Sequence, residues 1–161
     1  MHNHRDLSRR NGVIELVPAS PVHIGPIATR MREMDRIECQ AMGRTPKQAL
    51  RAGLYTSDDC VTALVDGSPE AMFGRVIESA LGGRGTPWFL GTDKVYRHPR
   101  AMLSIGPQII ASWGDSTPIM ANLVARSNVR AIRMLRTWGF TIAWKEVIVC
   151  RGVEFHPFRI G

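Results

Sequence analysis

Cysteine is scarce in this chain of 161 residues. Cys39, Cys60 and Cys150 are odd in number and far apart, and no Cys-x-x-Cys pair is present. Neither a disulfide framework nor a zinc site is therefore expected, and a reducing compartment is favoured. The five histidines form no His-Glu-x-x-His motif and no cluster with cysteine. The sequence thus predicts no metal.

Long apolar runs are also missing, although 44% of the residues are hydrophobic. No run approaches the roughly 20 residues that a membrane-spanning helix needs. The first ten residues carry positive charge with no apolar segment behind them, so no signal peptide is expected. Proline and glycine are spread along the chain, which excludes disordered, collagen-like and low-complexity classes. A chain of this length forms one domain with a substantial core.

Lysine is rare among the basic residues, so arginine carries most of the net charge of +7. Arginine suits bidentate contacts with carboxylate or phosphate groups. The excess favours an anionic partner, which could be nucleic acid, an acidic protein surface or a phosphorylated cofactor. A solvated basic surface explains the charge equally well.

The hydrophobic pattern predicts a mixed α/β fold. Its segments are a strand over 13–17, a helical pair over 20–57 with a break near Gly25–Pro26, strands over 61–65, 71–77 and 88–92, a helix opened by His98–Pro99 with a kink near Gly106–Pro107, a strand over 120–124, a helix from Asn128 to Gly139, and strands over 141–149 and 154–158. Strands separated by a helix tend to pair in parallel. We expect a basic N-terminal arm over residues 1–11 and one α/β domain over residues 12–161, with a mixed sheet of about seven strands flanked by about four helices.

The element order and the segment from Asn128 to Phe140, NVRAIRMLRTWGF, resemble the GCN5-related N-acetyltransferase (GNAT) superfamily. In that superfamily an Asn opens the last helix, Ala and aliphatic residues bury its inner face, and Gly-Phe ends it. The resemblance implies a GNAT-like fold. The same residues also have a structural explanation as N-cap, buried face and C-cap.

Five segments show a narrower resemblance, to small acetyltransferase-like proteins of short-tailed bacteriophages. The segments are MREMDRIE (31–38), EAMFG (70–74), GTPWFLGTD (85–93), ARSN (125–128) and FHPF (155–158). That family is often labelled internal virion protein A. The resemblance implies a role in virion structure or assembly, in the virion and in the host cytoplasm during assembly. It also implies an oligomeric assembly with other virion, tail or core proteins, and it does not establish catalysis.

The superfamily's pyrophosphate-binding loop is poorly matched. The loop starts with Gln or Arg and then places small residues where the backbone approaches the phosphates. Arg97 fits the first position, but Arg100 and Met102 replace the small residues, and Pro99 removes one N–H donor. A structural helix N-terminus is the favoured interpretation of this segment.

The usual proton donor is also missing. The superfamily places a Tyr seven residues after the Asn of the last helix, where this chain has Leu135. Tyr96 could substitute, although its spacing does not compel that role. Glu70, Glu78 and His98 are unranked candidate bases, so no catalytic residue is identified.

Candidate binding residues are mostly arginines. If acetyl-CoA is bound, the cofactor-binding residues are Arg97, Arg100 and Asn128. The candidate partner-binding residues are Arg5, Arg9 and Arg10 in the arm and Arg130, Arg133 and Arg136, spaced by three on the last helix. Such a row could contact phosphates or an acidic protein groove.

The sequence therefore predicts a phage virion or assembly protein that uses an acetyltransferase-like fold as a scaffold, with no cofactor and without intact catalysis. One alternative is an active acetyl-CoA-dependent N-acetyltransferase that modifies a host or phage protein. A further alternative is a nucleic-acid-binding accessory protein, whose affinity would fall steeply with salt.

Overall fold

The computed structural model describes residues 14–161. Its strands are β1 (Ile14–Pro18), β2 (Asp59–Val65), β3 (Ser68–Ser79), β4 (Arg84–Gly91), β5 (Ile119–Ala125), β6 (Thr141–Ile142), β7 (Ile148–Cys150) and β8 (Val153–Ile160). Its α-helices are α1 (Ile24–Thr29), α2 (Glu33–Ala41), α3 (Pro46–Thr56), α4 (Pro99–Gly114) and α5 (Val129–Thr137). Two 3₁₀ helices cover Pro21–His23 and Val95–Arg97. The expected mixed α/β fold is confirmed, and the expected arm lies outside the described residues.

The sheet opens in its middle. The strand order is β1-β2-β3-β4-β5-β8-β6, and β7 also pairs with β8. β4 and β5 run parallel, whereas the other paired strands run antiparallel. β4 and β5 pair only at Arg84–Ile119 and Gly85–Met120, the first residues of each strand. Their carboxyl ends therefore diverge and leave an opening, which we call the central gap.

The two faces of the sheet carry different helices. Side chains alternate between faces along a strand, so Ala71 and Phe73 of β3 join the core beneath α4 and α5, while Met72 packs with α1, α2 and α3. The core on the α4/α5 face is the largest apolar cluster of the described residues. It includes Ile105, Ile109, Trp113, Ile132, Leu135, Trp138, Phe140 and Phe158.

The expected helical pair over 20–57 is a set of three α-helices. The chain breaks between α1 and α2, where Met31 forms an isolated bridge with Thr92 and the Arg32 N–H donates to the Gly91 carbonyl at 2.9 Å. The expected break near Gly25–Pro26 is wrong, because Pro26 falls in the first turn of α1, where N–H groups have no intrahelical partner. α4 also continues through Pro107.

The strand expected over 141–149 is divided. The Trp144 N–H bonds to the Ile142 carbonyl and the Glu146 N–H to the Ala143 carbonyl, so a turn separates β6 from β7. The expected end of the last helix is confirmed, because Gly139 follows α5 with φ +100°.

Candidate active site

A cavity of about 380 Å³ passes through the central gap and reaches both faces of the sheet. On the α4/α5 face its walls are apolar side chains that include Phe89, Ile109, Trp113, Leu135 and Trp138. On the other face it extends between α2 and α3, along Trp88, Cys39, Met42, Ala49 and Gly53. The gap is thus continuous with a mainly apolar channel through the middle of the sheet.

Helix α2 spans the wide end of the central gap with two carboxylates. The Gly91 N–H of β4 donates to Asp35 Oδ2 at 2.8 Å, and the Ala125 N–H of β5 donates to Glu38 Oε1 at 2.9 Å. Because β4 and β5 have diverged here, they do not pair with each other at these positions. One helix therefore holds both splayed strands through side chains three residues apart.

Three further side chains complete this polar group. Asn128 Nδ2 donates to Glu38 Oε1 at 2.9 Å, and Arg32 Nη2 donates to Asn128 Oδ1. The Arg32 guanidinium carbon lies 4.3 Å from the centre of the Tyr96 ring, a cation–π contact. We call Arg32, Asp35, Glu38, Tyr96 and Asn128 the Arg32 cluster.

Burial shifts the acid–base properties of the Arg32 cluster. Desolvation raises the pKa of Asp35 from 3.8 to about 7, against the opposing effects of Arg32 and the Gly91 N–H. Desolvation also raises the pKa of Glu38, although the hydrogen bonds from Asn128 and Ala125 oppose it. The pKa of Tyr96 is raised as well, by desolvation and then by the charge of Asp35. At neutral pH the cluster thus contains a carboxyl group that can both accept and release a proton.

The cofactor-binding candidates Arg97 and Arg100 lie together, before and within the first turn of α4, and both are exposed. Met102 is the fourth residue of α4, and its side chain is buried in the core. The third candidate, Asn128, is buried and precedes α5, but its side chain makes no capping hydrogen bond. Instead it joins Arg32 to Glu38.

The remaining candidates lie apart from the cavity or outside the described residues. Arg130, Arg133 and Arg136 are exposed on the outer face of α5, and Arg5, Arg9 and Arg10 lie outside the described residues. Of the three unranked bases, Glu70 is fully buried and bound to Arg30, Glu78 accepts from the Thr86 hydroxyl, and His98 directly precedes α4. None of these three lines the cavity.

The sequence alone does not identify Arg32, Asp35 and Glu38 as site residues. Their spacing of three places them on one side of a helix, a signal that the sequence does contain. What it does not contain is the pairing of that side with Gly91, Ala125 and Asn128, which are far away along the chain. Within residues 14–161, no group of three metal-ligating side chains is placed to hold an ion. No helix of the described part is long and apolar enough to cross a bilayer.

Comparison with known proteins identifies the fold through structure alone. No protein-family model matches the chain, and no curated protein matches its sequence. Among solved structures, a GNAT-family acetyltransferase from Bacillus anthracis has a TM-score of 0.68 at 5% identity, covering 93% of this chain and 95% of that one. RimL, a ribosomal L7/L12 α-N-protein acetyltransferase in complex with coenzyme A, has a TM-score of 0.63 at 7% identity, covering 92% and 93%. The microcin C7 self-immunity acetyltransferase MccE, in complex with acetyl-CoA and AMP, has a TM-score of 0.64 at 10% identity, covering 93% and 92%.

The chain therefore has the GNAT fold, as the last helix led us to expect. The narrower resemblance to a phage internal virion protein gains no support from these structures. The prediction of a scaffold without a cofactor is wrong, because the structural neighbours are acetyltransferases and several were solved with coenzyme A or acetyl-CoA.

Proposed function

We propose that the protein is an acetyl-CoA-dependent acetyltransferase that acts on an amine. The central gap carries the proposal: two parallel strands pair only at their first residues, and a cavity of about 380 Å³ runs between them. A volume of this size is within the range of ligand sites, roughly 300–1,000 Å³. The GNAT neighbours that hold coenzyme A or acetyl-CoA support the same interpretation.

The residues around the gap fit such a ligand. An extended, largely uncharged arm suits the apolar walls of the cavity. The first N–H groups of α4 have no intrahelical partner and carry the positive end of the helix dipole, which favours phosphate. Arg97 and Arg100 add two exposed guanidinium groups at this end, and Lys94 lies shortly before it. When bound, acetyl-CoA supplies an acetyl group activated as a thioester.

The chain's own groups then divide the work between the two ends of the site. The α4 end binds the phosphates, and the apolar walls exclude water from the reacting atoms. The wide end of the gap presents Asp35 and Glu38 to the cavity, next to the opening between α2 and α3. A protonated amine is the acceptor that such carboxylates attract.

Binding of acetyl-CoA to the purified protein tests the proposal first. We expect a saturable rise in melting temperature, because a ligand at a hundredfold excess over its Kd stabilises by about 2.7 kcal/mol. Trp88, Trp113 and Trp138 line the cavity, so we also expect a change in tryptophan fluorescence. Release of free thiol in the presence of primary amines then tests transfer itself.

Matched arginine variants locate the phosphate end. The double variant Arg97→Gln/Arg100→Gln should weaken acetyl-CoA binding by about tenfold or more, because charge-assisted hydrogen bonds contribute about 1.5–3 kcal/mol each. Arg133→Gln removes an equally exposed arginine from the outer face of α5 and should leave the Kd unchanged. Absence of saturable binding by the wild type at millimolar acetyl-CoA would contradict the proposed function.

A further inference from the structure

We propose that Asp35 is the catalytic base, that it binds the protonated amino group of a primary amine acceptor, and that it takes a proton from that nitrogen. This inference rests on the proposed function, since it concerns the acceptor side of the same reaction.

The position of Asp35 fits this role. The residue is 2% exposed and lines the cavity at the wide end of the central gap. Oδ2 is fixed by the Gly91 N–H at 2.8 Å. Oδ1 lies 3.8 Å from Arg32 Nε, which is too long for a hydrogen bond, and it accepts no hydrogen bond from the described residues. One oxygen is thus anchored on β4, and the other is left to receive a donor from the cavity.

The other groups of the Arg32 cluster are less suited to proton transfer. Glu38 Oε1 already accepts from both Ala125 and Asn128 and ties α2 to β5. Burial raises the pKa of Tyr96, so its hydroxyl holds its proton more tightly than an ordinary phenol. Asp35, with a pKa raised to about 7, exchanges a proton readily at neutral pH.

The charges around Asp35 favour a cationic acceptor. Glu38 from α2, Asp93 from the loop after β4 and Tyr96 from the 3₁₀ helix face it, and Arg32 is the cation acting on it. Arg32 acts on both Asp35 and Glu38, and Arg130 of α5 acts on the neighbouring Tyr96. An ammonium group entering from the cavity supplies a further positive charge and donates to the open Oδ1.

The transfer balances with Asp35 as the only proton carrier of the chain. The ammonium gives its first proton to Asp35, which releases it to solvent. The neutral nitrogen forms the C–N bond as the C–S bond breaks, and the second nitrogen proton ends on the sulfur. An ammonium and a thioester thereby become an amide, a thiol and one free proton.

The pH profile of transfer to n-butylamine separates this mechanism from attack by free amine. In the wild type, kcat/KM should rise through an ionisation near pH 7 and stay level up to the pKa of the amine, about 10.4 for a lysine-like nitrogen. Asp35→Asn keeps an acceptor for the Gly91 N–H but cannot take the proton. Its kcat/KM should be about 10²–10⁴-fold lower at pH 7 and should climb about tenfold per pH unit from pH 7 up to the pKa of the amine.

Two charge-matched variants serve as controls. Glu33→Gln removes an exposed carboxylate from the same helix and should leave the whole profile unchanged. Glu38→Gln removes a neighbouring carboxylate whose charge helps to raise the pKa of Asp35, so the profile should keep its break but at a lower pH than in the wild type. Melting temperatures of all variants confirm that each is folded.

A readout without acetyl-CoA tests Asp35 directly. The ¹³C resonance of its carboxyl carbon should titrate near pH 7 in the free protein. Saturating n-butylammonium should move that midpoint to lower pH, because a nearby cation favours the carboxylate. The neutral isostere 1-butanol should not move it.

The outcomes distinguish the two proposals. A wild type that neither binds acetyl-CoA nor releases thiol overturns the proposed function. A wild type that transfers acetyl groups while Asp35→Asn shows the same rate and plateau overturns only the role of Asp35. An Asp35 midpoint that n-butylammonium leaves unmoved also overturns that role.

Discussion

The two faces of the central sheet are packed by different chemistry. On the α4/α5 face, the buried aliphatic and aromatic side chains form one large continuous cluster, and Arg75 and Thr117 are buried beside Trp113. On the face covered by α1, α2 and α3, the apolar cluster is small, and Arg32, Asp35 and Glu70 are buried beside it. The first face stabilises the fold by burial of apolar area, and the second holds groups whose charge depends on pH.

This difference separates the apolar walls of the cavity from its ionisable groups. Burying a charge costs free energy unless the charge is paired and hydrogen-bonded. A fold that needed only stability could fill the second face with aliphatic side chains. Of the two buried carboxylates, Asp35 lines the cavity, whereas Glu70 is bound to Arg30 away from it.

The largest expected effect lies on the apolar face. Trp138 is buried, contacts Phe89 edge to face, and donates from Nε1 to the Met102 carbonyl at 3.0 Å. Trp138→Ala should destabilise the protein by about 3–5 kcal/mol, as measured by urea or thermal unfolding. Trp144→Ala is the matched control. Trp144 is 53% exposed, so its replacement should lower the free energy of unfolding far less. Equal losses for both variants would contradict the packing of α5.

Asp35 should make the free energy of unfolding depend on pH. Its folded pKa of about 7 lies above the unfolded value of 3.8, so its contribution favours folding below pH 3.8 and is lost as the pH rises towards 7. In Asp35→Asn this stability is not lost as the pH rises, because the amide does not ionise. The variant should match the wild type in acid and exceed its free energy of unfolding above pH 7 by up to about 4 kcal/mol.

Unfolding of both proteins in urea from pH 4 to pH 8 measures this difference. A gap between the two curves that stays constant with pH would show that Asp35 is not desolvated as the structure indicates. Greater stability together with lost transfer activity would be the trade-off that functional sites often show.

The contribution of Glu70 to stability should have the reverse pH dependence. Desolvation pushes its pKa upward, but hydrogen bonds from Arg30, Thr92 and Ser68 outweigh it, and the net shift is downward from 4.5. Its stabilisation is therefore present above pH 4.5 and is lost as the pH falls through the folded pKa. Glu70→Gln should cost about 1–3 kcal/mol at pH 7 and much less in acid. At neutral pH the two carboxylate-to-amide changes should thus have opposite signs.

The sequence predicts the apolar face better than the polar one. The helical spacing from Ala131 to Trp138 and the helix-ending Gly139 predict α5 correctly, because both signals depend on residues close together in the chain. The Arg32 cluster depends on Asp35 meeting Gly91 and on Glu38 meeting Asn128, contacts between distant parts of the chain. Periodicity carries no information on such pairs. Leu135 and the altered loop are local features of the sequence, and they pointed away from a cofactor. The central gap depends on two strands that are distant in the chain, and it supports the proposed acetyl-CoA site.

The smallest expected effect is on the outer face of α5. Arg133 is exposed, and the inner face of the same helix buries Ala131, Ile132 and Leu135. Arg133→Gln should change the free energy of unfolding by less than about 0.5 kcal/mol, as surface substitutions usually do. A loss of stability comparable to that of Trp138→Ala would show that this face is packed, and it would remove the contrast between the two sides of α5.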